Sequence, residues 1–114
     1  MAPIALTKDN FVETVQGSEI TIVDFWASWC GPCMRFAPIF DAAADRHPEI
    51  TFAKVDTEDQ QELAGGLEIQ AIPTLMAFKN GQLVFREAGM LNGAQLDQLI
   101  EQIVALELAE DEQE

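Results

Sequence analysis

A run of β-branched and aromatic residues, EITIVDFW at positions 19–26, stops at Ala27-Ser28-Trp29-Cys30-Gly31-Pro32-Cys33. The run reads as a buried strand. Proline suits the first positions of a helix, so a helix is predicted from about Pro32. A strand that feeds a helix almost at once belongs to an alternating α/β architecture, which excludes all-α and all-β folds. The chain's only two cysteines, Cys30 and Cys33, fall at this junction.

The alternation continues on both sides. Residues 4–6 are a short edge strand. Residues 7–16 are predicted helical, with Phe11, Val12 and Val15 on one face and Gly17 as the stop. The helix from Pro32 is expected to reach residue 46, because His47 precedes Pro48 and avoids the helical region. Pro38 removes one backbone donor inside it and is expected to kink it. Residues 50–56 form the next strand, and 58–65 a short helix broken at Gly65-Gly66. Strands 74–78 and 83–87 are joined at Lys79-Asn80-Gly81-Gln82, and Asn-Gly is a strong hairpin signal because both turn positions need positive φ. Asn92 caps a last helix whose Leu96, Leu99, Ile100, Ile103 and Val104 form a core stripe. The order is β-α-β-α-β-α-β-β-α. It implies a central mixed β-sheet with helices on both faces, early strands parallel and a late antiparallel pair.

Length and charge narrow the function classes. With 114 residues the chain suits one domain with one core, taken as residues 1–109, with an acidic tail at 110–114. Twenty acids against six bases give a net charge of −14. Such a surface repels phosphate backbones and anionic lipid, so neither nucleic acid nor membrane is an expected partner. No apolar run approaches the ~20 residues of a membrane span. The first residues show no basic region followed by an apolar one, so no secretory signal is expected, and the predicted location is cytoplasmic.

Two thiols three residues apart can face each other across a helix turn, where Cβ atoms lie roughly 5–6 Å apart. The first turn of a helix carries unpaired N–H groups and a partial positive charge. Both stabilise a thiolate, so Cys30 is expected to ionise more readily than a free thiol and to act as a nucleophile. A structural staple closing so short a loop would add only about 2 kcal/mol. A zinc site needs four ligands, and His47 is the one further candidate, so no metal is expected. Inert core thiols leave the intervening Gly-Pro without a purpose. Cys-x-x-Cys beside a β-α-β pattern is a redox signal.

Trp29-Cys30-Gly31-Pro32-Cys33, preceded by Val23-Asp24-Phe25-Trp26-Ala27, resembles the active site of the thioredoxin family. Phe36-Ala37-Pro38, Lys54-Val55-Asp56, Ile72-Pro73-Thr74 and Phe78-Lys79-Asn80-Gly81 continue the likeness, over roughly residues 5–106. The resemblance implies a thioredoxin fold and a monomeric protein-disulfide reductase. Cys30 attacks a target disulfide, Cys33 resolves the mixed disulfide, and the pair is left oxidised. The partners it implies are disulfide-bearing proteins and a thioredoxin reductase, in this family usually a flavoprotein drawing on NADPH. The chain has no GxGxxG or flavin motif, so no cofactor of its own is expected.

The supporting residues divide between the two kinds of reading. Asp24 alternates with Ile22 and Trp26, so in a covered strand it is buried with a raised pKa. It is a candidate proton relay for Cys33, the alternative being an acid that reaches solvent. Lys54, in a second apolar strand, defaults to an exposed edge lysine, whereas the resemblance turns it toward Asp24. Ile72-Pro73 defaults to trans. The resemblance implies cis, with Ile72 backbone groups beside Cys30 to pair with an extended target. Trp29 is expected to be partly exposed in an apolar landing surface with Gly31, Pro32, Ile72, Pro73, Gly89 and Met90, and Trp26 to lie in the core. Where the family often has lysine directly after the second cysteine, this chain has Met34-Arg35, which moves the positive charge one residue on. Two rivals remain: an oxidant or isomerase on the same fold, which Gly-Pro between the cysteines disfavours, and a binding module with dispensable thiols.

Overall fold

The computed structural model describes residues 2–107. Within them run β1 (Ile4–Ala5), α1 (Phe11–Gly17), β2 (Ile20–Trp26), α2 (Gly31–Arg46), β3 (Thr51–Asp56), α3 (Gln61–Gly66), β4 (Thr74–Lys79), β5 (Gln82–Ala88) and α4 (Gly93–Ala105). The acidic tail at 110–114 lies outside the described residues. One five-stranded sheet has the order β1-β3-β2-β4-β5. β1 and β2 flank β3 in parallel, β4 runs antiparallel to β2, and β5 antiparallel to β4. The element order and mixed sheet match the sequence reading.

Alternation along the strands divides the apolar side chains between two faces. Ile20 and Ile22 of β2, Phe52 of β3, and Leu75 and Ala77 of β4 pack under α2 and α4, through Phe36, Phe40, Leu96, Ile100 and Ile103. Val23 and Phe25, Ala53 and Val55, and Met76 and Phe78 point the other way, onto Phe11 and Val15 of α1 and the flank of α3. β2 is covered on both faces, so its polar side chains Thr21 and Asp24 are held in a dry layer, whereas Thr51, Lys54 and Asp56 of β3 stay partly exposed. That placement governs the site described below.

The hairpin turn forms at Asn80-Gly81, with φ values of +53° and +83°. Lys79 ends β4 and is buried. Its ammonium reaches across to the carbonyls of Ile103, Val104 and Leu106 at 2.5–2.9 Å, so it closes the C-terminal end of α4. Sequence reasoning treated Lys79 only as a turn residue. At the other end of α4, Asn92 Oδ1 accepts from the Gln95 N–H at 2.8 Å and Gln95 Oε1 accepts from the Asn92 N–H at 2.9 Å. This reciprocal cap fixes the start of a helix that seals one side of the core. Asn92→Ala is expected to lower unfolding stability by about 1 kcal/mol. Urea denaturation measures it, and an unshifted midpoint would show that the cap contributes nothing.

Several boundaries and core assignments need correction, β3, β4 and β5 among them by one residue at one end or both. α1 begins at Phe11, because residues 7–10 form a turn in which Asn10 Oδ1 accepts from the Thr7 N–H at 2.7 Å. α3 begins at Gln61, because the Asp56 carboxylate takes the Glu58 N–H at 3.0 Å and holds a turn there. Leu6 follows β1 as a buried residue and is not part of the strand. Val12 is 59% exposed and Val104 52% exposed, so neither belongs to the core. Each sits at the margin of its helix's apolar stripe, one step round from residues that do pack.

Candidate active site

The junction between β2 and α2 builds the site. Cys30 is the N-cap residue of α2, in extended backbone conformation, and its Sγ accepts from the Cys33 N–H at 3.2 Å. The sulfur thus stands where a serine or aspartate oxygen ordinarily caps a helix, next to donors with no partner inside the helix. Pro32 falls in the first turn, where its missing N–H matters least, and α2 runs on through Pro38 to Arg46. Cys30 and Cys33 are joined as a disulfide, with Cα atoms 5.2 Å apart.

The two sulfurs are not equivalent. Cys30 is 5% exposed and Cys33 0%, and together they pack on Ala27, Trp26 and Ile72. Cys30 Sγ lies 3.7 Å from the Ile72 carbonyl oxygen. The Ile72-Pro73 bond is cis. Trp29, Cys30, Gly31, Pro32 and Ile72 line an open groove of about 540 Å³. Trp29 is 69% exposed at its rim, more open than the sequence suggested.

Other residues of the expected landing surface lie elsewhere. Pro73 is buried, and its carbonyl accepts from the Gly89 N–H at 2.8 Å. Gly89, at φ +108°, and Met90 line a separate hollow of about 250 Å³ against Leu75, Phe85 and Leu99. The groove beside the cysteines is completed instead by Thr57 and by Ile69-Gln70-Ala71. Sequence reasoning missed these. Their one signal was position, as the segment leading into Ile72-Pro73.

Asp24 is 0% exposed, on the sheet face that α2 covers, as alternation predicts. Among the described residues, neither of its carboxylate oxygens has a hydrogen-bond partner. Burial pushes its pKa up from 3.8 to about 7; the Lys54 charge draws it down somewhat and Asp41 pushes it up. Lys54 is the Cα partner of Asp24 across β2 and β3. It is half-buried on an interior strand, not exposed on an edge, and its ammonium stands 5.1 Å from the Trp26 ring centre. Trp26 is itself only partly buried, between that ammonium and the cysteine pair. Asp41 was not foreseen. It follows Cys33 by eight residues on α2, a spacing near two turns that could have flagged it.

A buried carboxyl group that titrates near neutrality lies on the face of β2 that α2 covers, and the sulfur that caps α2 lies just beyond the end of that strand. A carboxyl group with such a pKa can take up or release a proton near neutral pH. Among the described residues, no three His, Cys, Asp or Glu gather as a metal site, and no helix is long and apolar enough to cross a membrane.

Comparison with known proteins agrees with this geometry. The thioredoxin family model matches residues 2–104. A chain of Streptomyces coelicolor carrying the name thioredoxin 2 is 45% identical over 94% of this chain and 80% of its own length. A thioredoxin of Alicyclobacillus acidocaldarius is 38% identical over 84% of this chain and 92% of its own. Among solved structures, a mutant thioredoxin from Halobacterium salinarum superposes with a TM-score of 0.85 at 27% identity, covering 94% of this chain and 95% of that one.

Proposed function

Because the chain belongs to the thioredoxin family of protein-disulfide oxidoreductases, we propose a specific division of labour for the disulfide reduction it performs. The Cys30 thiolate attacks one sulfur of a target disulfide. The target S–S bond breaks, a Cys30–target disulfide forms, and the departing target sulfur takes up a proton. Cys33 then gives its proton to the Asp24 carboxylate and attacks Cys30 Sγ. The Cys30–Cys33 bond forms, the second target sulfur leaves as a thiolate and takes up a proton, and Asp24 gives up the one it took from Cys33, so the target has gained two electrons and two protons.

One observation carries this assignment: Cys30 Sγ caps α2 at the open groove while Cys33 is fully buried behind it. Lys54 steadies the charge that Asp24 gains and loses. The target segment lies along Trp29, Gly31 and Pro32 in extended form and pairs with the backbone of Ile72, as peptides add to strand edges. Pro73 acts from within, by holding Ile72 beside Cys30. Gly89 and Met90 border a neighbouring hollow and meet longer targets.

The dithiol must be restored by a reductase, and the partner of choice is an NADPH-linked flavoprotein thioredoxin reductase. The protein works as a cytoplasmic monomer, a domain of residues 1–109 with a solubilising acidic tail at 110–114. An insulin-reduction assay with NADPH and a thioredoxin reductase tests the reading. Precipitation of the freed insulin chains, matched by NADPH consumption, is expected. NADPH use no faster than that of the reductase alone would overturn it.

A further inference from the structure

The chain has six basic residues against its net charge of −14. Five of them are tied down within the fold. Lys8 pairs with Glu62 at 3.0 Å and Arg46 with Asp97 at 2.8 Å. Lys54 stands over the Trp26 ring, and Lys79 closes the end of α4. Arg86 holds the Leu67 and Glu68 carbonyls at 2.7 and 2.6 Å. Arg35 is the sixth. Among the described residues its guanidinium meets no carboxylate, carbonyl or aromatic ring.

Its placement follows from helix geometry. Side chains lean toward the N-terminus of their helix, so a residue reaches back over the one a turn earlier. For Arg35 that residue is Gly31. A Cβ built on Gly31 would meet Arg35 Nη1 at 3.4 Å. The missing side chain at Gly31 therefore leaves room for the guanidinium against the first turn of α2, at the residue that follows Cys30. Gly31 and Cys30 line the groove and Arg35 does not, so the charge stands behind Gly31, at the groove's outer margin.

We infer that Arg35 is a specificity-determining residue of the exchange reaction, holding a carboxylate of the target chain close to the disulfide presented to Cys30. The inference rests on the reductase reading above and deepens it. The molecule as a whole repels acidic surfaces and favours basic partners. Arg35 is a local exception at the point of attack. A guanidinium presents paired donors that fit a carboxylate, and this one has no internal acid to release first. A target with an acid beside its disulfide is thereby sorted from one without.

Two disulfide-bonded peptides, identical except for Glu or Gln beside the attacked cysteine, test this with the full chain. At low salt the Glu peptide is expected to show a kcat/KM about three- to fivefold higher, the scale of an exposed ion pair. The preference should shrink as salt is added. Arg35→Gln should bring the ratio to about one, and Arg35→Glu should invert it, changes that a merely structural role would not produce. Equal rates for both peptides with the unmodified chain would overturn the inference and leave the reductase reading intact. Failure to reduce either peptide would overturn both. An equal slowing of the two peptides in Arg35→Gln, with slower alkylation of Cys30, would place the charge on the sulfur and overturn a role in target choice.

Discussion

Replacing Cys30 with serine is expected to abolish protein-disulfide reduction, with a fall of more than about 10³-fold in turnover. A hydroxyl at this position caps α2 as well as sulfur does, so the fold should stand. It cannot become an anion near neutral pH and cannot join a disulfide, so the first attack has no nucleophile. Cys33 is no substitute, because it is fully buried behind Cys30. Cys33→Ser should behave differently. Attack by Cys30 proceeds, resolution fails, and a Cys30–target disulfide accumulates that mass spectrometry detects as a covalent adduct. Adducts on Cys33 in the Cys30→Ser variant, or turnover with either serine present, would contradict the assigned order of attack.

Asp24→Asn should stabilise the protein at pH 8 and slow its chemistry. In the unfolded chain the carboxyl group loses its proton near pH 3.8, whereas in the folded protein burial delays this to about pH 7. Between those values the folded state holds a proton that the unfolded state lacks, so stability falls as pH rises, by about 1.4 kcal/mol per unit. Below the unfolded value the carboxyl group carries no such penalty; above pH 7 the whole of it, roughly 4 kcal/mol, remains. An amide of the same shape escapes the charge, although its own buried polar atoms cost about 1–3 kcal/mol without partners. The advantage of Asp24→Asn over the unmodified chain should therefore grow from pH 4 to pH 7 and level off above it. Denaturant midpoints at pH 4, 6 and 8 measure this. The same difference at all three would show that Asp24 does not change charge in the folded protein over this range. In parallel, release of the target from the Cys30 mixed disulfide should slow, because Cys33 has lost its proton acceptor.

These consequences were unequally legible in the amino-acid sequence. The element order was plain, because β-branched runs, helical stripes and the Asn80-Gly81 and His47-Pro48 breaks are local signals. Helix starts were less so, since Asn10 and Asp56 side chains satisfy backbone N–H groups in turns that compete with the first helical turn. Val12 and Val104 were misread because periodicity marks a stripe without marking its edge, and the edge depends on what packs opposite. Burial of Asp24 followed from alternation in a strand covered on both faces. The tie from Lys79 to α4 joins segments far apart in the chain, and no local pattern encodes it; the one mark of Asp41 was its spacing from Cys33 along α2. The proximity of Lys54 to Asp24 and the cis bond before Pro73 came only through resemblance. The groove wall at Ile69-Gln70-Ala71 is a product of the assembled sheet, which brings the loop before β4 against the start of α2. The sequence named both sulfurs and much of their setting, but only the fold showed which residues share the groove.

The central physical claim is that the start of α2 turns the outer sulfur into an anion while the inner one stays shielded. A brief pulse of iodoacetamide at pH 7 on the fully reduced protein, followed by mapping of the modified cysteine, tests it most directly. The account predicts rapid modification of Cys30 alone, faster than either thiol of the urea-unfolded chain. Labelling of Cys33 first, or of both cysteines at the pace of the unfolded chain, would contradict it.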